Sequence, residues 1–177
     1  MAIQKKQTKA SKRWPRYCFL AALVMVAVAV ALYFWAYYTI DSEFSAVSSY
    51  YGSRYEELFS LSTPDRDMKE EILRQGEEAL AFIGSGEDCA AFGALAPYCT
   101  DTESYAGASK VEFTLEDLAG KTDGDESYLW VAYTQRVYDA DGNMLRGSGS
   151  SQERILARWS VKKLDGRWVV TEILEHP

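Results

Sequence analysis

The stretch Trp159-Ser160-Val161-Lys162-Lys163-Leu164-Asp165-Gly166-Arg167-Trp168-Val169-Val170-Thr171-Glu172-Ile173 reads as two strands joined by a tight turn. Trp159 and Val161 alternate with polar residues before Asp165-Gly166, and Trp168 and Val170 alternate after it. Asp-Gly between alternating runs is a strong local hairpin signal, because a two-residue type I′ turn needs positive φ at both central positions. Such a turn pairs Val161 with Val170, Trp159 with Glu172 and Ala157 with Leu174.

Upstream, the same period of two recurs. Lys110 to Leu115 alternates cleanly, and Ser127 to Tyr138 is a long strand holding Tyr128, Trp130, Val131, Tyr133 and Val137. Asp141-Gly142 turns into a third strand that reaches Lys163. The C-terminal half is therefore an antiparallel meander. Before it the period is helical. Phe44, Val47, Tyr51, Tyr55 and Leu58 share one helix face, which packs on the sheet and can be traced back through Ile40, Tyr37 and Tyr33. Thr63 caps a second helix, with Pro64 at its first position, that runs to about Ile83 and stops at Gly84. Residues 84 to 107 read as a loop with one short helical turn near Cys89 to Leu95. Helices first and a curved meander after them define an α+β domain.

The order helix, helix, strand, hairpin, hairpin, with its closing strand, Asp-Gly turn and Trp168-Val169-Val170, resembles the nuclear transport factor 2-like superfamily, also called cystatin-like. The resemblance covers about residues 43 to 176. It implies a cone-shaped half-barrel with helices packed on a curved antiparallel sheet. Members with an N-terminal anchor and an extracytoplasmic domain of this type include assembly factors of type IV secretion and conjugation machines, and other anchored members have no known task. Enzymes of the superfamily place acids and tyrosines inside the cone.

Charge divides the chain. Of its 177 residues, the first 16 carry Lys5, Lys6, Lys9, Lys12, Arg13 and Arg16 and no acid; the remainder holds 13 basic and 26 acidic side chains, so +6 and −13 make the net −7. Tyr17 to Ile40 are 24 residues without a charge. As a helix they are about 36 Å long at 1.5 Å per residue, more than the roughly 30 Å of bilayer hydrocarbon. A cleaved signal peptide has a shorter apolar run and a small-x-small end. Here Tyr33-Phe34-Trp35-Ala36-Tyr37-Tyr38 fills that register with rings suited to an aromatic belt. The expected organisation is a basic cytoplasmic tail (1–16), a transmembrane helix in membrane lipid (17–40) and an extracytoplasmic α+β domain (41–177), oriented by the positive-inside rule.

The chemistry-bearing residues are few. The single His is His176 at the frayed end, so no Ser-His or Cys-His pair is expected. Two Cys ten positions apart, Cys89 and Cys99, lack zinc-ligand spacing, but flank one loop and are a disulfide candidate in an oxidising compartment. Cys18 lies at the membrane edge. Asp139-Ala140-Asp141-Gly142-Asn143 opens like a calcium loop, yet Met144 and Ser150 stand where that loop needs its Gly and closing Glu. Gly147-Ser148-Gly149-Ser150-Ser151 lacks the Lys and helix of a phosphate loop and reads as a bulge. No metal or cofactor is expected. The −13 outer domain repels nucleic acid. Arg154, Arg158 and Lys162 read as a solvated strand face.

The functional expectation is a non-enzymatic interaction domain of a bacterial envelope assembly, with a protein partner or a homodimer contact. An alternative is a cone holding a small apolar molecule among Trp130, Tyr133 and Trp159, with Glu172 beside Trp159 as a candidate base of raised pKa. A third reading is an envelope sensor.

Overall fold

The computed structural model describes residues 14–150 and 153–175. Lys5, Lys6, Lys9, Lys12, Arg13, Ser151 and His176 lie outside the described residues, as do the side chains of Arg16, Tyr17, Tyr37, Ile40 and Phe44. The chain divides into two compact units, Met1–Ser49 and Tyr50–Pro177.

Helix α1, Trp14–Tyr51, is 38 residues long and supplies the described part of the first unit up to Ser49. Its window Cys18–Trp35 has a mean hydropathy of 2.5, and none of it is buried. Exposed Val24, Val26, Leu32 and Phe34 form a surface that lipid accommodates and water does not. The segment has the length and composition of a membrane anchor, and a signal sequence passes the same test.

The second unit is α+β. Gly52 takes φ +61 and ends α1, and the chain continues as a 3-10 segment, Gly52–Phe59. The expected helix face over 44–58 is thus split between the end of α1 and this segment. Tyr51 is buried and Tyr55 half-buried.

Helix α2 spans Arg66–Ala81, two residues later than Thr63 and Pro64 suggest. The backbone N–H of Asp65 instead donates to Thr122 Oγ1 at 2.8 Å, which pins the approach to α2 in an extended form. The C-terminal end comes before Gly84, at Phe82, whose extended backbone leads into strand β1, Ile83–Gly84. The loop that follows holds more structure than its composition suggests. It contains α3 (Gly86–Ala90), closed by a capping box of Ser85 and Asp88, and a 3-10 segment Gly93–Tyr98. Strand β2, Thr100–Asp101, then pairs in parallel with β1.

The main sheet is curved, antiparallel and five-stranded: β3 (Ala108–Lys121), β4 (Ser127–Asp139), β5 (Met144–Ser148), β6 (Ile155–Leu164) and β7 (Arg167–Glu175). The order is β3-β4-β6-β7, with β5 also on β4. The expected single third strand is therefore two strands, pairing with successive parts of β4. Gly149 at φ +72 separates them. At the final hairpin Asp165 and Gly166 have φ +50 and +83, and Leu164 faces Arg167, as a two-residue turn requires.

One face of the sheet makes the core. Leu129, Val131, Tyr133, Ala157, Trp159, Val161, Trp168 and Val170 pack with Met68, Ile72, Ala79 and Leu80 of α2. Gly76 is the close approach. A Cβ there would stand 2.4 Å from the Trp159 ring, so only glycine lets α2 cross the indole. Buried Gln135 fastens the layers, donating to the carbonyls of Leu80 at 2.8 Å and Tyr98 at 2.7 Å.

Candidate functional site

Two pairings decide what the sheet presents. The first is a β-bulge in β7. Val161 faces Val170 as expected, but Ser160 then faces Glu172, and Trp159 faces Ile173. Thr171 is the extra residue, its hydroxyl donating to the Ser160 carbonyl at 3.2 Å. Core positions are even before the bulge, at Trp168 and Val170, and odd after it, at Ile173 and Glu175. The expected pairings of Glu172 with Trp159 and Leu174 with Ala157 are thereby corrected. Glu172 lies on the opposite face, with 62% of its side chain exposed.

The second is the pairing of Trp130 with Arg158 and of Leu129 with Trp159. Paired residues share a face, so Trp130 lies away from Trp159 and Tyr133. The three rings expected to line one chamber belong to two sides of the sheet. Trp159 and Tyr133 are 0% and 2% exposed within the α2-covered core. Trp130 meets Tyr51 edge-on at 5.0 Å and Tyr55 at 6.5 Å on the other side.

The core side carries its own polar cluster. Tyr98 and Tyr133 rings approach to 4.9 Å, and Trp159 Nε1 donates to the Tyr98 hydroxyl at 2.9 Å. The Tyr133 hydroxyl donates to the carboxylate of Glu175, the residue the bulge brings to this face. Burial and the Glu175 charge raise the pKa of both tyrosines, so each stays protonated.

The opposite face carries a cleft of about 610 Å³, lined among others by Arg54, Glu57, Tyr128, Arg158, Ser160, Lys162 and Glu172. Glu57 is its hub. Its carboxylate accepts from Arg158 Nε at 2.6 Å, Arg158 Nη2 at 3.0 Å and Trp130 Nε1 at 3.0 Å. Arg158 also lies over the Tyr128 ring at 4.8 Å, and its exposure is only 7%. The expected solvated strand face holds for Arg154 and Lys162, whose side chains are 44% and 45% exposed, and is corrected at Arg158, which the 3-10 segment covers and supplies with its counter-charge. Arg54–Glu172 at 3.9 Å and Lys162–Asp125 at 3.6 Å complete a rim of opposite charges.

Within the cleft Ser160 Oγ donates to Glu172 at 3.2 Å and accepts from Arg158 Nη1 at 2.9 Å. Among the described residues, no group of three or more His, Cys, Asp or Glu could hold a metal ion. The Asp139 turn binds itself: its carboxylate accepts from the Asn143 amide and from the backbone N–H groups of Asp141 and Asn143.

Sequence reasoning missed Glu57 and Glu175. Glu57 is one of two adjacent acids between Tyr55 and Phe59, and only the meeting of the 3-10 segment with Arg158 gives it a role. Glu175 depends on the bulge. Cys89 and Cys99 are free thiols buried in the core cluster. No family model, curated protein or solved structure matches the chain.

Proposed function

We propose that this chain is a membrane-anchored, extracytoplasmic interaction domain of the nuclear transport factor 2-like type, a non-enzymatic component of a bacterial envelope assembly. The observation that carries this reading is the division of the aromatic rings between two faces. Tyr133 and Trp159 are consumed by the packed core, which leaves no shared chamber for a small apolar ligand. The opposite face instead offers a cleft rimmed by Arg54, Glu172, Lys162 and Asp125, with buried Tyr128 in its lining. Aromatic and arginine anchors within a polar rim are the anatomy of a protein-binding surface. The orientation rests on the six basic residues ahead of the apolar helix.

Two experiments test it. Protease added to intact spheroplasts digests residues 41–177 and spares the tail; protection of the domain reverses the orientation. A photo-crosslinking amino acid placed at Glu172 in native membranes captures a protein in a defined adduct, and one at Glu103, outside the cleft, does not. Equal labelling at both positions, or none at Glu172, removes the cleft from the reading.

A further inference from the structure

Cys89 and Cys99 are held together by the fold. Cys89 sits in α3, whose first turn is fixed by the Ser85–Asp88 capping box. Cys99 ends the 3-10 segment Gly93–Tyr98, its backbone N–H bonded to the Ala96 carbonyl at 3.1 Å. Both belong to the same buried cluster, at 5% and 4% exposure, where Cys89 lies near enough to Cys99 to perturb its thiol. Cys99 stands between Tyr98, whose carbonyl and hydroxyl both take hydrogen bonds from the core, and fully buried Thr100.

We propose that Cys89 and Cys99 form an intramolecular disulfide that staples the α3 loop and thereby fixes Tyr98 in the core. Two S–H bonds break and one S–S bond forms. Two electrons and two protons pass to an oxidant of the small-molecule disulfide class, such as oxidised glutathione, which leaves as two thiols. Burial and the neighbouring Cys89 raise the pKa of the Cys99 thiol, which keeps it protonated in the folded chain. Exchange is therefore slow once folding is complete, and the bond forms while the chain folds and both thiols are accessible. The staple rests on this geometry and stands independently of the function proposed above.

The test uses the full chain in detergent. It is reduced and unfolded, then refolded with or without a glutathione buffer rich in the oxidised form, and finally alkylated under denaturing conditions. The reduced chain takes three alkyl groups, one per cysteine. The oxidatively refolded chain takes one, at Cys18, and a peptide map links Cys89 to Cys99 with the loss of two hydrogens. Cys89→Ala leaves Cys99 alkylated whatever the buffer. Folded chain held for days with the small neutral oxidant diamide gives a second route to the same link. Free Cys89 and Cys99 in both routes, or random pairing with Cys18, overturns the proposal.

Discussion

Glu57 and Arg158, 101 positions apart in the chain, meet through two hydrogen bonds of 2.6 and 3.0 Å on the side of the sheet away from α2. The pair is bidentate, and its Arg side chain is only 8% exposed. Removing one member of a buried pair costs about 3–5 kcal/mol, because the other charge stays buried without compensation. Arg158→Ala is thus expected to lower stability by that amount in thermal unfolding of the full chain. Arg74→Ala, which breaks an exposed pair with Glu78, should cost less than about 0.5 kcal/mol. Equal losses would mean that Arg158 is solvated.

The contact between Gly76 and Trp159 gives a second expectation. Gly76→Ala forces a methyl into the indole and should destabilise by about 1–3 kcal/mol, despite the better helix propensity of alanine. Trp159→Ala leaves a cavity and should cost about 3–5 kcal/mol. In the double variant the methyl enters the space the indole left, so the combined loss falls below the sum of the two. Strict additivity would show that the helix and the ring do not touch.

The Thr171 bulge predicts an asymmetry between two deletions. Deleting Thr171 heals the ladder and keeps Trp168, Val170, Ile173 and Glu175 on their present face. Cooperative unfolding and native tryptophan fluorescence should survive. Deleting Val169 instead turns one half of β7 over, placing either Trp168 or Val170 in water, and cooperative unfolding should be lost. A milder effect at Val169 than at Thr171 would place the extra residue elsewhere.

Acid titration tests the Asp139 turn. Hydrogen bonds from the Asn143 side chain and backbone, then the backbone of Asp141 and Gly142, hold its carboxyl below the usual carboxylate range. A depressed folded pKa favours the ionised form. Its stabilisation is present above the unfolded value of about 3.9 and disappears as pH falls through the lower folded value. In an NMR titration Asp139 should lose its charge below about 3.9. Asp139→Asn should make the β4–β5 hairpin less sensitive to acid, and titration at or above the ordinary value would falsify the turn geometry.

Much of this architecture was legible. Asp165-Gly166 announced a two-residue turn, and its pair of positive φ angles follows from that dipeptide. The presence of α2 was readable from its flanks, Thr63-Pro64 and Gly84, and the apolar run of α1 was readable too. What escaped was nonlocal. No residue near Thr171 marks it as the extra one, because Thr suits a regular strand as well as a bulge. Its presence reversed the reading of Glu172 and concealed Glu175. Arg158 alternates with Trp159 as a surface residue should; its burial depends on a segment about a hundred positions earlier. The break between β5 and β6 was half visible, since the Gly-Ser run suggested a bulge but not that both strands would return to β4.

Tyr51 closes the domain from the other end of the sequence: its hydroxyl donates to the Leu156 carbonyl at 2.7 Å, across 105 positions, and its ring rests on Trp130. A ribosome adding roughly 5–20 residues per second needs about 5 to 20 s to cover that distance. For the later part of that interval Tyr51 and Tyr55 are outside the ribosome while their seat is unfinished. A transcript cut short before Leu156 never completes the seat, and its product keeps those rings open to proteases. Synthesis past Leu156 is thus recorded in the molecule itself, by whether the tyrosine that ends the long helix is covered.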